Sequence, residues 1–256
     1  MTPYRDYIVK LKSEVIENYS VEEKIWQGAT STVYKCINKY GKGKHGSIVA
    51  IKVLHPYRKD PLQIKMFIRE GRIQQKLSHE NIVRTFSVGK TEDFYFILME
   101  YIRGSNLKVF SQNGIPPFRQ LLEMFRDLAY TLSYMHGRKI LHNDIKPENI
   151  MFDQAAKSLK LTDFGYASTF QKWFNRKFPA GGTEKYMAPE RKTGISDTRS
   201  DIYSFGMVLD EFLPQNERDE IISSIIHKAI QREPHKRYAS FSEMISDMKY
   251  YFYNKP

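Results

Sequence analysis

Between Phe118 and His136 the apolar residues Leu121, Leu122, Met124, Phe125, Leu128, Leu132 and Met135 recur every three or four positions. That spacing lines one face of a helix and predicts an amphipathic one. Earlier in the chain the period changes. From Tyr19 to Lys35, alternating and β-branched residues predict two strands joined across Gln27-Gly28-Ala29-Thr30-Ser31, and Ser47-Ile-Val-Ala-Ile-Lys-Val-Leu54 predicts a buried strand that carries one lysine. The Gly/Lys-rich stretch from Tyr40 to Gly46 reads as an exposed hairpin loop. Phe94-Tyr-Phe-Ile-Leu-Met-Glu-Tyr-Ile-Arg-Gly104 predicts a further buried strand with a glycine-marked exit. Ile8, Val9, Leu11, Val15 and Ile16 stand at roughly helical intervals and predict a short leading helix. A buried helix is predicted through Arg199-Ser-Asp-Ile-Tyr-Ser-Phe-Gly-Met-Val-Leu209, and the last helix over Ser240 to Tyr251.

A lysine inside a buried strand is expensive unless it is paired. The candidate partner of Lys52 lies in the next helical stretch, at Glu70 of Met66-Phe-Ile-Arg-Glu70. Composition sets wider bounds. The 256 residues are 41% hydrophobic and 14% aromatic, enough for a core in one large domain or two smaller lobes. One cysteine, Cys36, excludes an internal disulfide and fits a reducing compartment. The charged N-terminal stretch lacks the long apolar run of a signal peptide, and the longest apolar runs, such as Phe94 to Met99, are too short to span a bilayer. A cytoplasmic protein is therefore expected. The net charge of +11 fits a nucleic-acid surface, an attraction to acidic substrates or membranes, or a solvated basic face. Neither a zinc-ligand cluster nor a nucleic-acid module accompanies it, so no specific nucleic-acid partner is predicted. Internal repeats and low-complexity segments are absent.

The densest chemistry lies in Ile140-Leu-His-Asn-Asp-Ile-Lys-Pro-Glu-Asn-Ile150. Its ends are apolar and its middle is polar and proline-interrupted, the pattern of a loop held between two buried strand-like anchors. This string resembles the catalytic loop of protein kinases. Other segments resemble kinase motifs in the same order. They are the lysine strand with Glu70, Leu77-Ser-His-Glu-Asn-Ile-Val83, Leu159-Lys-Leu-Thr-Asp-Phe-Gly165, Gly182-Thr-Glu-Lys-Tyr-Met-Ala-Pro-Glu190, Arg199-Ser-Asp-Ile-Tyr-Ser-Phe-Gly206 and Glu233-Pro-His-Lys-Arg237. The resemblance covers about residues 19 to 250.

It implies an α+β fold of two lobes. Residues 1–101 would form a small antiparallel N-lobe with one main helix and a short N-terminal extension, and residues 102–256 a larger, mostly helical C-lobe, together a single kinase domain. It also implies a serine/threonine protein kinase that uses ATP and Mg²⁺. In that reading Asp144 accepts the proton of the substrate hydroxyl, Lys146 neutralises the transferred phosphoryl group, and Thr183 contacts both. Asn149 and Asp163 hold the metal. Lys52, paired with Glu70, positions the α and β phosphates. Gly28, Val33, Ala50, Met99, Glu100, Ile102, Asn106 and Met151 line the nucleotide, with Glu100 to Ile102 as the hinge. Asp201 would bond the backbone of the catalytic loop, and Arg237 would pair with Glu190. A protein substrate with a Ser or Thr acceptor is the implied partner.

Four departures from the family pattern stand out. Trp26 and Ser31 occupy the places of the first and third glycines of the phosphate loop, leaving Gly28 as the middle one. Gln74 and Thr85 put two polar groups in a column that is usually apolar, and a hydrogen bond between them is expected. Asn143 replaces the arginine that precedes the catalytic aspartate in many kinases, and no Ser, Thr or Tyr lies between Phe170 and Gly182. The last two absences predict an enzyme that works without activation-segment phosphorylation, with Lys172, Arg176 and Lys177 solvated or facing substrate. The connection through Pro214 to Arg218 is short. A pseudokinase acting as a nucleotide-binding scaffold is the alternative, and a small-molecule kinase is disfavoured by the Gly-Thr-x-x-Tyr-x-Ala-Pro-Glu segment.

Overall fold

A computed structural model describes residues 15–16, 18–41, 44–55, 60–112, 114–169 and 184–254. They fall into two compact units. The first holds the described residues up to Ser78 together with Val83–Ile102; the second holds His79–Ile82 and everything from Arg103 onward.

The first unit is built on a six-stranded antiparallel sheet. Its strands are β1 (Val15–Ile16), β2 (Tyr19–Gln27), β3 (Ser31–Asn38), β4 (Ile48–Leu54), β5 (Thr85–Lys90) and β6 (Tyr95–Glu100), in the order β1-β2-β3-β4-β6-β5. Strand periodicity of two gives the sheet its faces. Val49, Ile51 and Val53 of β4 join Tyr19, Tyr34, Cys36, Phe94, Phe96 and Leu98 in one apolar cluster. Leu54 and Ile97 belong to the opposite face, where they meet Phe67 of helix α1 (Pro61–Gln75). Lys52 pairs with Ile97 in the β4–β6 ladder, so alternation turns it towards α1. The helix starts where Asp60 accepts a hydrogen bond from the Gln63 backbone N–H, with Pro61 at its first position.

Two expectations are corrected here. Val15 and Ile16 form a short strand against Tyr19 and Ser20, not the end of a leading helix. The β-branched pair suits a ladder, and Asn18, with φ of 72°, reverses the chain between the two strands. Ile8, Val9 and Leu11 lie outside the described residues. The expected Gln74–Thr85 hydrogen bond is also absent. Gln74 instead donates from Nε2 to the Val83 carbonyl at 2.6 Å, an acceptor just outside β5, while the buried Thr85 hydroxyl has no partner among the described residues. An isosteric Thr85→Val exchange removes that unpaired hydroxyl. Thermal unfolding should show the variant as stable as the parent or more stable, by up to about 1 kcal/mol; a clear loss of stability would reveal a partner for the hydroxyl.

In the second unit, helices α2 (Leu107–Gln112), α3 (Phe118–Gly137), α4 (Thr198–Phe212), α5 (Glu220–Ala229) and α6 (Phe241–Asn254) carry most of the core. The predicted α3 face is buried throughout, from Leu121 to Met135. Phe125 meets Phe205 of α4 edge-on at 6.2 Å, and Phe205 meets Phe241 of α6 at 5.6 Å, so three helices share one aromatic contact line. A three-stranded sheet, β10 (Ser158–Leu161), β9 (Ile150–Asp153) and β7 (Gly104–Asn106), and a two-stranded ribbon, β11 (Ser168–Thr169) with β8 (Ile140–Leu141), complete the unit. Gly104 is fixed by a close approach: a Cβ there would fall 1.8 Å from the Phe152 carbonyl oxygen.

The short connection after α4 is a single turn, Gln215–Glu217, tied down by Arg218 on the Asp210 carboxylate at 2.7 Å. The expected Arg237–Glu190 pair is present and bidentate, both N···O distances being 2.8 Å, and Ser200 adds a third bond to Glu190. Burial alone would raise the Glu190 carboxyl; the bonds from Arg237 and Ser200 outweigh it and hold the group below its ordinary range.

Candidate active site

The polar loop predicted between apolar anchors hangs between β8 and β9, whose residues Ile140, Leu141 and Ile150 are buried. Its backbone is organised by Asp201 from the first turn of α4. One carboxylate oxygen accepts from the His142 N–H at 2.9 Å and the other from the Asn143 N–H at 2.8 Å, as expected. His136 at the end of α3 also bonds Asp201, at 2.9 Å. Asp201 is fully buried, which alone would raise its pKa, yet His136 and the backbone donors hold it below the usual carboxylate range. His142 is buried against Phe164, with ring centroids 4.9 Å apart, and burial lowers its pKa despite the surrounding carboxylates. Its Nδ1 accepts the Asp144 N–H at 3.3 Å, which uses the neutral ring as a backbone clamp.

Asp144 therefore enters the site on a fixed backbone, and its side chain is fixed too. Lys146 Nζ lies 2.8 Å from Asp144 Oδ2, and the Asn149 amide nitrogen donates to the same oxygen and to the Asp144 carbonyl, both at 2.9 Å. The Asn149 nitrogen is thus committed to Asp144, and its side-chain oxygen is the atom that could hold a cation. Asp163 sits in left-handed backbone with φ of 61° and accepts the Gly165 N–H at 3.2 Å, a turn that short polar side chains tolerate. The Thr162 N–H bonds the Asn149 carbonyl at 3.0 Å, joining the two candidate metal ligands through adjacent backbone. No cluster of three or more His, Cys, Asp or Glu side chains able to hold a metal occurs among the described residues. A donor set of one amide oxygen and one carboxylate suits Mg²⁺, which takes its remaining ligands from water and phosphate. Asn106 of β7 stands opposite Met151 of β9, and its side-chain oxygen caps α2 at the Val109 N–H. Thr183, Lys172, Arg176 and Lys177 lie outside the described residues.

The remaining expected residues belong to the first unit. Lys52 Nζ is 2.5 Å from Glu70 Oε1, and both side chains are only 9% exposed. Ala50 pairs with Met99 and Val33 with Lys52 in the ladders of β4, so these four lie on adjacent strands. Glu100 and the buried Ile102 follow at the exit of β6, where the Glu100 N–H bonds the Arg84 carbonyl at 2.8 Å. Gly28 makes the turn between β2 and β3, its N–H bonded to the Ser31 carbonyl at 2.9 Å. The Trp26 ring lies across it, so close that a Cβ on residue 28 would be 2.1 Å from Cη2. The residue at the first glycine's place thus packs on the one glycine that is kept.

Motif reading passed over Arg191 and Ser196. Both are buried, and both bond Asn143, Arg191 on the backbone carbonyl and Ser196 on the side-chain oxygen at 2.8 Å. The available signal was an arginine directly after Ala-Pro-Glu, in a stretch otherwise explained by its motif.

The protein kinase domain family matches the chain over residues 19–250. A probable serine/threonine-protein kinase of Clostridium acetobutylicum is 30% identical over 262 aligned residues, covering 90% of this chain and 39% of the relative. The serine/threonine-protein kinase PrkC of Bacillus subtilis is 30% identical over 233 residues, covering 78% of this chain and 36% of that protein. PknB of Mycobacterium leprae, also a serine/threonine-protein kinase, is 32% identical over 237 residues, with 78% and 38% covered. The chain belongs to the protein kinase family, whose members use ATP with Mg²⁺. It spans under two fifths of the length of these relatives. No described helix is long and apolar enough to cross a membrane.

Proposed function

We propose that this chain is a serine/threonine protein kinase domain, transferring the γ-phosphoryl group of ATP to a protein hydroxyl, and that it does so without a phosphate on its activation segment. The observation that carries the reading is the arrangement around Asp144, whose carboxylate is held by Lys146 and Asn149 and whose backbone is held by His142. A carboxylate so oriented accepts the proton of an incoming hydroxyl. In this reading Lys146 and Lys52 counter charge on the phosphates, and Thr183 is the residue assigned to contact Asp144 and Lys146. Bound ATP and Mg²⁺ supply the transferable phosphoryl group and the cation charge; Asn149 and Asp163 offer the oxygens that hold the metal. We assign Gly28, Val33, Ala50, Met99, Glu100, Ile102, Asn106 and Met151 to nucleotide binding. We place the lobe boundary at residues 101/102 of a single domain covering 1–256, acting in the cytoplasm on a protein substrate.

Phosphate independence rests on the sequence between Phe170 and Gly182, which has no hydroxyl to phosphorylate, and on Asn143, which has no charge to receive a phosphate. The test is Mg²⁺-dependent transfer of labelled γ-phosphate to a generic protein substrate by phosphatase-treated enzyme. Labelled phosphoserine or phosphothreonine is the expected product. Nucleotide binding without transfer would support the scaffold reading suggested by Trp26 at the phosphate loop.

A further inference from the structure

Every polar group of Asn143, in the catalytic loop, is taken. Its N–H donates to Asp201 Oδ1 at 2.8 Å. Its side-chain nitrogen donates to Ser168 Oγ at 2.9 Å and to the Tyr166 carbonyl at 3.1 Å, and its side-chain oxygen accepts from Ser196 Oγ at 2.8 Å. Its carbonyl accepts from Arg191 Nη1. The residue itself is in left-handed backbone, φ 67°, a conformation that costs free energy and persists where the surroundings over-determine it. Those partners come from both ends of the activation segment. Tyr166 directly follows Asp-Phe-Gly, with Ser168 two residues on, and Arg191 directly follows Ala-Pro-Glu, with Ser196 five residues on.

The peptide group between Asn143 and Asp144 is planar, so fixing its two ends fixes the direction in which Asp144 leaves it. Its C=O is held by Arg191 and its N–H by His142. Arg191 is 8% exposed and brings a full positive charge, since guanidinium does not deprotonate in proteins. After the burial that pulls its pKa down, the groups that support its charge most are Asp201 and Asp144, followed by Tyr166 and Glu190. A buried cation is tolerated where carboxylates and carbonyls surround it, as here. The bond to the Asn143 carbonyl is therefore charge-assisted, the stronger kind of hydrogen bond.

We propose that Arg191 is a positioning residue for Asp144: with Asn143 and Ser196 it forms an internal latch that clamps the peptide entering the catalytic aspartate and ties both ends of the activation segment to the catalytic loop without any phosphate. This rests on the kinase reading above and assigns its phosphate independence to named side chains. Arg191 acts through the Asn143 carbonyl and through geometry, so its loss slows the chemical step and leaves ATP binding alone.

The test is steady-state kinetics on phosphatase-treated wild type, Arg191→Met, Arg191→Lys and Ser196→Ala, with thermal unfolding of each. Arg191→Met keeps the length of the side chain and removes the donor; its kcat should fall on the order of 10- to 100-fold, with the KM for ATP within about twofold of wild type. Arg191→Lys keeps a charged donor and should recover several-fold of that loss. Ser196→Ala should lower kcat by roughly three- to tenfold, and together with Arg191→Lys it carries the test if the methionine variant does not fold. An unchanged kcat in folded Arg191→Met and Ser196→Ala would overturn the latch while leaving the kinase reading intact. So would losses that track the melting temperature with no recovery in Arg191→Lys. Dephosphorylated wild type that regains activity only on phosphorylation would overturn phosphate independence, and the latch with it.

Discussion

Purified Asp144→Ala is expected to transfer phosphate about 10²- to 10⁴-fold more slowly than the parent, the range a positioned general base contributes. The fold should survive. The backbone of residue 144 is held by the His142 ring and by the Asn149 amide on its carbonyl, neither of which needs the side chain. Truncation leaves Lys146, 19% exposed, to turn to water, and buried Arg191 keeps Asp201 as a counter-charge, so the variant should be destabilised but remain folded. The KM for ATP should change little, because Asp144 is assigned to the hydroxyl acceptor and not to the nucleotide. Labelled transfer run beside thermal unfolding distinguishes the cases; a folded variant with parental turnover would remove Asp144 from the reaction.

Lys52→Met should lose phosphotransfer and stability together. The lysine and Glu70 are each 9% exposed and 2.5 Å apart, so removing the cation takes from a buried carboxylate the positive charge held against it. Breaking a buried pair from one side typically costs about 3–5 kcal/mol. Replacing both members by apolar residues is often neutral, so the double variant Lys52→Met with Glu70→Leu should regain most of that stability. Activity should not return, because the double variant has no charge to place against the phosphates. Denaturant unfolding of both proteins, with activity measured alongside, checks the pair. Equal stability in the two, or activity in either, would contradict this account of a buried strand lysine.

The parts of the fold that were legible in the sequence are those governed by period and by local rules. The α3 stripe, the strand alternation that turns Lys52 towards α1, and the anchors of the catalytic loop all follow from which positions are apolar. Motif order supplied Asp201 on the loop backbone and Arg237 on Glu190, and both bonds are present. What was not legible is the choice a side chain makes among several acceptors. Gln74 and Thr85 were expected to satisfy each other, but an amide reaching out from a helix can take any carbonyl within its arc, and the Val83 carbonyl took it. Arg191 was passed over for a related reason. A sequence shows an arginine after a motif, while the direction in which its long side chain runs depends on the path of the chain between Ala188 and Ser196. The strand at Val15 and Ile16 was misread because two residues are too few to show a period.

Cys36 lies in the apolar cluster of the six-stranded sheet with none of its surface exposed, and burial pushes its thiol up to about 12. Thiolate, not thiol, is the form that reacts with alkylating reagents, so this group is silent for as long as the sheet stays closed. The chain has no other cysteine. Covalent labelling of the native protein therefore proceeds only through molecules whose first unit has opened, and its rate is a clock for that opening, readable in unlabelled solution and in a cell extract alike.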